Sequence, residues 1–566
     1  MKPAFFPVIM GGRRGSVTQV FSPASLFTSG VQGAWYDPSD YSSLFQESAG
    51  KTAVTAVEQP VGLMLDKSQG LVLGSEATSG SWLNAHSTTF DTFTSTGPTG
   101  FTATTTGAKA PRVAVLASLP TAGWYWIEFT ATFTGGSFST VGVSNTGSPY
   151  SAAVATTVLP ATGVAFKTLI YTSAAREYLT ITFTASGAST LSVTGVSVKS
   201  LAGNHASQAT PTSCPVLRAR YNLLTYSEQF DNTAWTSSST NVTISANTAT
   251  APDATTTADS ITAVAGGPNF HYSRRGSSDT LTGTYTYSIY VKKNTSTWIF
   301  FTVNDGGVNY FNLDTGAFGT TPDTCAVVAL SNGWYRISAT RTLAAAPGNC
   351  GVGVANSNGG GSITATGTES VYVWGAMLNP GSSAGTYQQI TTATSYATAE
   401  FAPYLAFDGV DDFLSAAYVQ SAYPLTLTAG VNNDSIATAS GAFVSVAQSD
   451  SVYKISRDNA VGTTDAQDRN ATTITTNNIS QAGNKFVLSQ FETSTITQQV
   501  NGGTAITIAN TNSFGTSVSI FLGKARPTNL FSSARDYGVV ITNTVLTAAE
   551  KDSLKNYMGG KMGVTL

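Results

Sequence analysis

The sequence predicts an all-β protein built from several sandwich domains, and three observations carry that prediction. Charged residues make up 10% of the chain, against about 25% in an average soluble domain, while Gly reaches 54 of 566 residues. Short runs rich in Thr, Val, Tyr and Phe suit pleated, half-buried strands, and the Gly, Asn, Asp and Ser between them supply the turns. The 41% hydrophobic and 10% aromatic content is more than a disordered Ser/Thr/Gly-rich chain carries, and it can fill several cores. At about 100 to 200 residues per domain, the length predicts roughly three to five modules.

Composition also bounds function. A net charge of -3 provides no broad basic field, which argues against nucleic acid as a partner. Cys214, Cys325 and Cys350 lack the short paired spacings of a zinc site, and their odd number implies no disulfide framework. Cys325 and Cys350 fall in one module, where they either pair or act as small hydrophobes. No run of about 18 to 20 apolar residues offers a membrane span. The opening MKPAFFPVIMGGRRG is broken by Pro3 and Pro7 and does not read as a signal peptide.

In chain order, residues 1–15 read as an N-terminal arm. Phe5, Phe6, Val8, Ile9 and Met10 would be unfavourably exposed if loose, and Gly11, Gly12 and Gly15 let the chain bend into a neighbour; a frayed terminus is the plainer alternative. Next come Trp35-Tyr36-Asp37-Pro38-Ser39-Asp40 and the run Pro60 to Asp66, which predict a strand, a Pro turn and a second strand. That stretch is too short for a sandwich of about 100 residues, so its partner strands must lie elsewhere. The last third can supply them: Tyr404 to Leu414 reads as strand, turn at Asp408-Gly409, strand. Further strands are expected at 441–447, 485–491, 496–500, 517–523 and 537–542. Thr547-Ala-Ala-Glu550 is a capping box before a short helix expected to end near Met558, with Gly559 and Gly560 as its stop.

WYDPSD, PVGLMLDKS, GNHASQATPTSCPVLRARY, YLAFDGVDDFL and the closing helix together resemble phage and prophage proteins carrying a concanavalin A-like lectin, or laminin G-like, domain. The resemblance implies one discontinuous sandwich from residues 16–71, 202–221 and 393–566, interrupted by two inserted domains at 72–201 and 222–392. In the second, NLLTYSEQFDNTAW, YTYSIYVKK, NGWYRISATRT and ESVYVWGAMLNPG resemble the carbohydrate-binding-module-like jelly rolls of phage tail and fibre proteins. Tyr285, Tyr287, Ile289 and Val291 alternate as one buried strand face should, and Ser370 to Met377 is the closing strand. The first insertion follows the same order more loosely, with GWYWIEFTATF at 123–133, REYLTITFTA at 176–185 and LSVTGVSVKSL at 191–201, as an internal duplication would.

Catalytic constellations are thin. His86, His205 and His271 fall in different modules without metal-ligand or Ser/His spacing and read as structural. Asp408, Asp411 and Asp412 could hold a calcium ion through hard oxygen ligands, or simply form Asx turns at a strand junction. The same carboxylates would serve glycoside hydrolysis only as a pair about 5 to 9.5 Å apart across a cleft. Aromatic side chains are the better clue, because sugar faces stack on flat rings. Most Trp should be core, which leaves Trp298 and Tyr310 as the candidate ligand-binding residues.

The resemblance therefore implies a non-enzymatic virion protein of the tail region, made in the host cytoplasm. It would be a tail fibre or receptor-binding protein for host attachment through a surface glycan or pilus. Other virion proteins would be its partners, and a homo-oligomer, a trimer by resemblance alone, its form. A purely structural baseplate, tail or capsid-decoration role is the alternative, and a polysaccharide-degrading enzyme the last reading, since all three occur on sandwich folds.

Overall fold

The computed structural model describes residues 21–84, 90–117, 122–144, 154–155, 159–172, 178–275, 280–304, 307–433, 442–458, 463–470, 473–480, 484–525, 530–564 and 566. The arm expected at 1–15, and His86, lie outside the described residues. The fold is all-β, with multiple sandwich sheets and a C-terminal helix.

Strands of two to five residues cannot close a core alone, so the short N-terminal strands are carried into sheets completed by distant ones. Gly33–Tyr36 runs antiparallel to Ser533–Thr542, with Tyr36 opposite Val539. Gln59–Pro60 pairs with Val216–Arg218, which pairs with Tyr404–Asp408, and that strand returns to Ser533–Thr542. The sheet continues through Leu425–Asn433, Lys485–Phe491, Thr495–Val500 and Ile506–Ala509. The facing sheet also mixes the three stretches: Leu44–Phe45, Leu63–Met64 and Ala206–Ser207 lead to Leu414–Gln420, Ser517–Leu522 and Ala442–Ser449. Between the sheets Tyr36, Leu44, Met64, Leu217, Leu405 and Ile541 share one buried cluster. Each such side chain contributes roughly 1.5 to 3 kcal/mol by leaving water, which offsets the ordering of so dispersed a set of strands.

The helix Ala548–Met562 packs outside the first sheet, where Leu554, Met558 and Met562 meet Trp35, Tyr404, Tyr537 and Val540. Its capping box is formed: Glu550 N donates to Thr547 Oγ1 at 3.3 Å, and Thr547 N donates to Glu550 Oε2 at 2.7 Å. The expected stop at Gly559-Gly560 is corrected: the helix runs through both and ends at Gly563, whose φ of 67° is the left-handed turn. Gly559 is needed for closeness instead, since a Cβ there would meet Val564 O at 2.8 Å. The WYDPSD motif clamps this helix. Asp37 takes Lys561 at 3.1 Å and Lys67 at 3.3 Å, accepts from Tyr557 OH at 3.0 Å, and Lys67 lies 4.4 Å over the Trp35 ring.

Between Leu73 and Leu201 the chain forms a sandwich from one sheet folded on itself. Gly123–Ser144 pairs along its length with Tyr178–Leu201, and register shifts near Thr134/Gly136 bend the pair from one layer into the other. The two strands expected at 176–185 and 191–201 are therefore one. Trp82, Phe101, Tyr125, Ile127 and Phe183 fill the space between the layers. Trp124 and Trp126 point the other way and pack with Leu63, Leu65 and Leu169, fixing this sandwich to the parent.

Between residues 242 and 380 two separate sheets face each other. The first is Val242–Ala249, Ala258–Ala263, Ser370–Pro380, Thr280–Lys293, Trp334–Pro347 and Thr324–Ala329; the second is Tyr272–Arg275, Cys350–Ala355, Trp298–Val303, Val308–Asn312 and Ala317–Phe318. Tyr285, Tyr287, Ile289 and Val291 face the core together. Cys325 and Cys350 do not pair in a disulfide.

Candidate functional site

The strand Trp298–Val303 alternates between two environments. Ile299, Phe301 and Val303 enter the core, so Trp298, Phe300 and Thr302 must face outward. The register aligns a row across four strands: Tyr272 stands opposite Gly353, Gly353 opposite Phe300, and Phe300 opposite Tyr310. Gly353 opens the row, because a Cβ there would lie 2.6 Å from the Phe300 ring. Phe270 meets Phe300 edge-on at 5.4 Å, and Tyr272 does so at 6.1 Å.

The two sequence candidates both lie on this face but play different parts. Tyr310 is 7% exposed and Phe300 2%, so they form its floor, whereas Trp298 and Tyr272 are half-buried and Phe270 is exposed. The turn at 356–361 forms a polar rim: Asn358 Oδ1 accepts from Thr320 N at 2.7 Å, and Gly319 has room for no Cβ because it would lie 2.3 Å from Asn358 Oδ1 and 3.0 Å from the Trp298 ring. At one end Lys293 and Asp314 pair at 2.7 Å, and Arg274, opposite Gly351, adds a positive charge beside Tyr272 on the same face. Flat rings beside carboxamides can stack on the apolar face of a pyranose while hydrogen-bonding its hydroxyls. Sequence reasoning missed Phe270, Tyr272 and Phe300. Phe300 was readable from its two-residue spacing to Trp298; Tyr272 depends on long-range register that sequence does not carry.

Asp408, Asp411 and Asp412 lie together at the junction of Tyr404–Asp408 and Leu414–Gln420, with one carboxylate oxygen from each within 4.8 Å of the others. Asp408 Oδ1 accepts from Val410 N at 2.8 Å and Asp411 N at 3.3 Å, an Asx turn, and Ser213 Oγ donates to Asp411 Oδ2 at 2.7 Å. Burial, with the charges of Asp408 and Asp411, pushes the Asp412 carboxyl up to about 7. The arrangement can bind a hard cation, which would relieve that repulsion.

His205 and His271 are buried, and burial drives His205 down to about 3, so it stays neutral while its Nδ1 accepts from Asp66 N at 2.9 Å. No helix among the described residues is long and apolar enough to cross a membrane.

No protein-family model and no curated protein matches the chain. Among solved structures, the mouse laminin alpha1 chain domains LG4-5 are similar at 14% identity, over 47% of this chain and 83% of theirs, with a TM-score of 0.21. The CBM22-1-CBM22-2 tandem of Paenibacillus barcinonensis Xyn10C is similar at 14% identity over 58% of this chain and 100% of its own, TM-score 0.23. Trypanosoma rangeli sialidase in complex with sialic acid is similar at 11% identity over 55% and 62%, TM-score 0.21.

Proposed function

We propose that this chain is a glycan-binding protein of a phage virion, displayed in the tail region, and that it attaches the particle to a host surface polysaccharide through the outer aromatic face of its second inserted sandwich. One observation carries the reading. Of the eight Trp residues, seven are buried at 8% exposure or less, and only Trp298 is half-buried, beside Tyr272, Phe270 and a carboxamide rim. An exposed aromatic strip costs solvation unless a ligand covers it. The virion setting rests on the sequence resemblance, and the two insertions support display, since the parent sheets close through strands that bypass them.

A microarray of bacterial surface glycans probed with the full chain tests the proposal. The wild type should bind a defined subset, Trp298→Ala should weaken that binding by about tenfold or more, equivalent to about 1.4 kcal/mol, and Trp298→Phe should restore part of it. The soluble chain should also compete with phage for host cells. Absence of glycan binding together with absence of competition would return the protein to a structural role.

A further inference from the structure

We infer that a second saccharide site lies in the cleft between the second inserted sandwich and the C-terminal end of the parent sandwich, and that it takes a neutral sugar of about disaccharide size. The cleft encloses about 690 Å3, inside the range of roughly 300 to 1,000 Å3 typical of small-ligand pockets, which favour domain junctions. Its walls come from segments far apart in sequence: the turn after Asn379, the return segment around Phe401, and the parent sandwich at Asn432, Asn484 and Asn501 with the end of the helix.

The lining selects a ligand class. Asn379, Asn432, Asn484 and Asn501 line it with carboxamides; Asn379 Nδ2 is spent on Pro380 O and Ser383 O, so that side chain offers only its oxygen, while the second N–H groups of Asn432 and Asn484 and the Asn501 amide nitrogen are donors suited to hydroxyl oxygens. Tyr221 and Phe401, 5.4 Å apart, add ring surface. Arg535 is the only basic and Glu400 the only acidic side chain of the described lining, so the wall suits a neutral polyhydroxyl ligand better than a phosphate or polyanion.

The walls are set before any ligand arrives. Asn432 Nδ2 donates to Asn484 Oδ1 at 2.6 Å, and Asn484 Nδ2 to Met562 O at 3.4 Å. Asn379 shapes its turn by donating to Ser383 O at 3.0 Å and accepting from Gly385 N at 3.3 Å. Tyr221 OH donates to Ala402 O at 2.8 Å, and Arg535 lies 5.1 Å over the Tyr404 ring while donating to Arg220 O at 3.1 Å. Polar groups held this way lose little freedom on binding.

The site is separate from the outer aromatic face, so the test uses full-length Trp298→Ala, in which that face is disabled. Saturation-transfer NMR is read with cellobiose, maltose, lactose and N,N′-diacetylchitobiose as probes. Ser382 and Thr386 are exposed at the cleft, so adding Ser382→Trp or Thr386→Trp fills it without disturbing the core. At least one disaccharide should give signal with Trp298→Ala, and both blockers should bring it to background with an unchanged melting temperature. No signal from any of the four on the Trp298→Ala background would overturn the inference, and so would signal that both blockers leave intact. If Trp298→Ala alone costs no binding while the blockers abolish it, this inference stands and the outer-face proposal falls.

Discussion

Asp536 shows how one residue couples this fold to pH. It is fully enclosed, one carboxylate oxygen accepts from Gly538 N at 2.9 Å, the other has no partner, and burial pushes the group up to about 7. Its unfolded value is about 3.9, so between those values the folded state binds the proton more tightly. The stability this proton supplies is complete below about pH 4 and is lost as pH rises through about 7. Asp536→Asn should therefore flatten the fall in melting temperature from about pH 5 to 8; an unchanged slope would contradict the assignment. Asp37 behaves in the opposite sense: burial alone would raise it, but Lys561, Ser39 and Lys67 together hold it below the usual carboxylate range. Asp37→Ala takes away the carboxylate that Lys561 and Lys67 share, leaving Lys561 with the Ser39 hydroxyl and Lys67 with Asp40 at 2.6 Å, and should cost about 1.5 to 3 kcal/mol in denaturant unfolding. The acidic turn makes a third prediction: calcium chloride, but not magnesium chloride, should raise the melting temperature of the wild type and not of Asp411→Asn. Equal curves with and without calcium would leave Asp408 as an Asx turn alone.

At the scale of elements, the capping box offers the simplest check. Thr547→Ala removes both bonds made by the Thr547 hydroxyl, from Glu550 N and to Glu550 Oε2, while the reciprocal bond from the backbone N–H of residue 547 to Glu550 stays, and should cost about 1 kcal/mol, read by urea unfolding. That box was legible in the sequence because its chemistry is local. So were Tyr404–Asp408 and Lys485–Phe491, short apolar-rich runs whose flanking turn residues mark their ends. The helix stop was misjudged because three glycines follow one another within five residues, and which of them turns left-handed depends on Val564 folding back to bond Gly559 O. Likewise, the continuous strand Tyr178–Leu201 hides in sequence because bends by register shift need no proline or turn dipeptide. Trp298 was found from sequence as a ring without a clear core position, but the row it belongs to is set by pairing between strands as far apart as Tyr272 and Gly353.

Over the whole molecule, the parent sheets draw strands from three separated stretches, while the second insertion leaves and returns through a compact polar joint. Gln388 Nε2 donates to Ala219 O and to Ala397 O, both at 2.7 Å, and its Oε1 accepts from Tyr221 N. The two ends of the insertion are thus within a few residues' reach of each other. Replacing 222–392 with a short Gly/Ser linker should leave the parent sandwich folded with a cooperative melt, and should remove glycan binding and host adsorption. Loss of the parent melt would mean that the insertion is part of its core.

The central claim, a sugar stacked on Trp298, is tested most directly by acrylamide quenching of tryptophan fluorescence in the full chain. Because Trp298 is the one partly open indole, it should supply most of the quenchable emission, and a glycan selected on the array should protect that fraction. Trp298→Ala should abolish both the quenchable fraction and the protection. A bound glycan that leaves quenching unchanged would contradict the account.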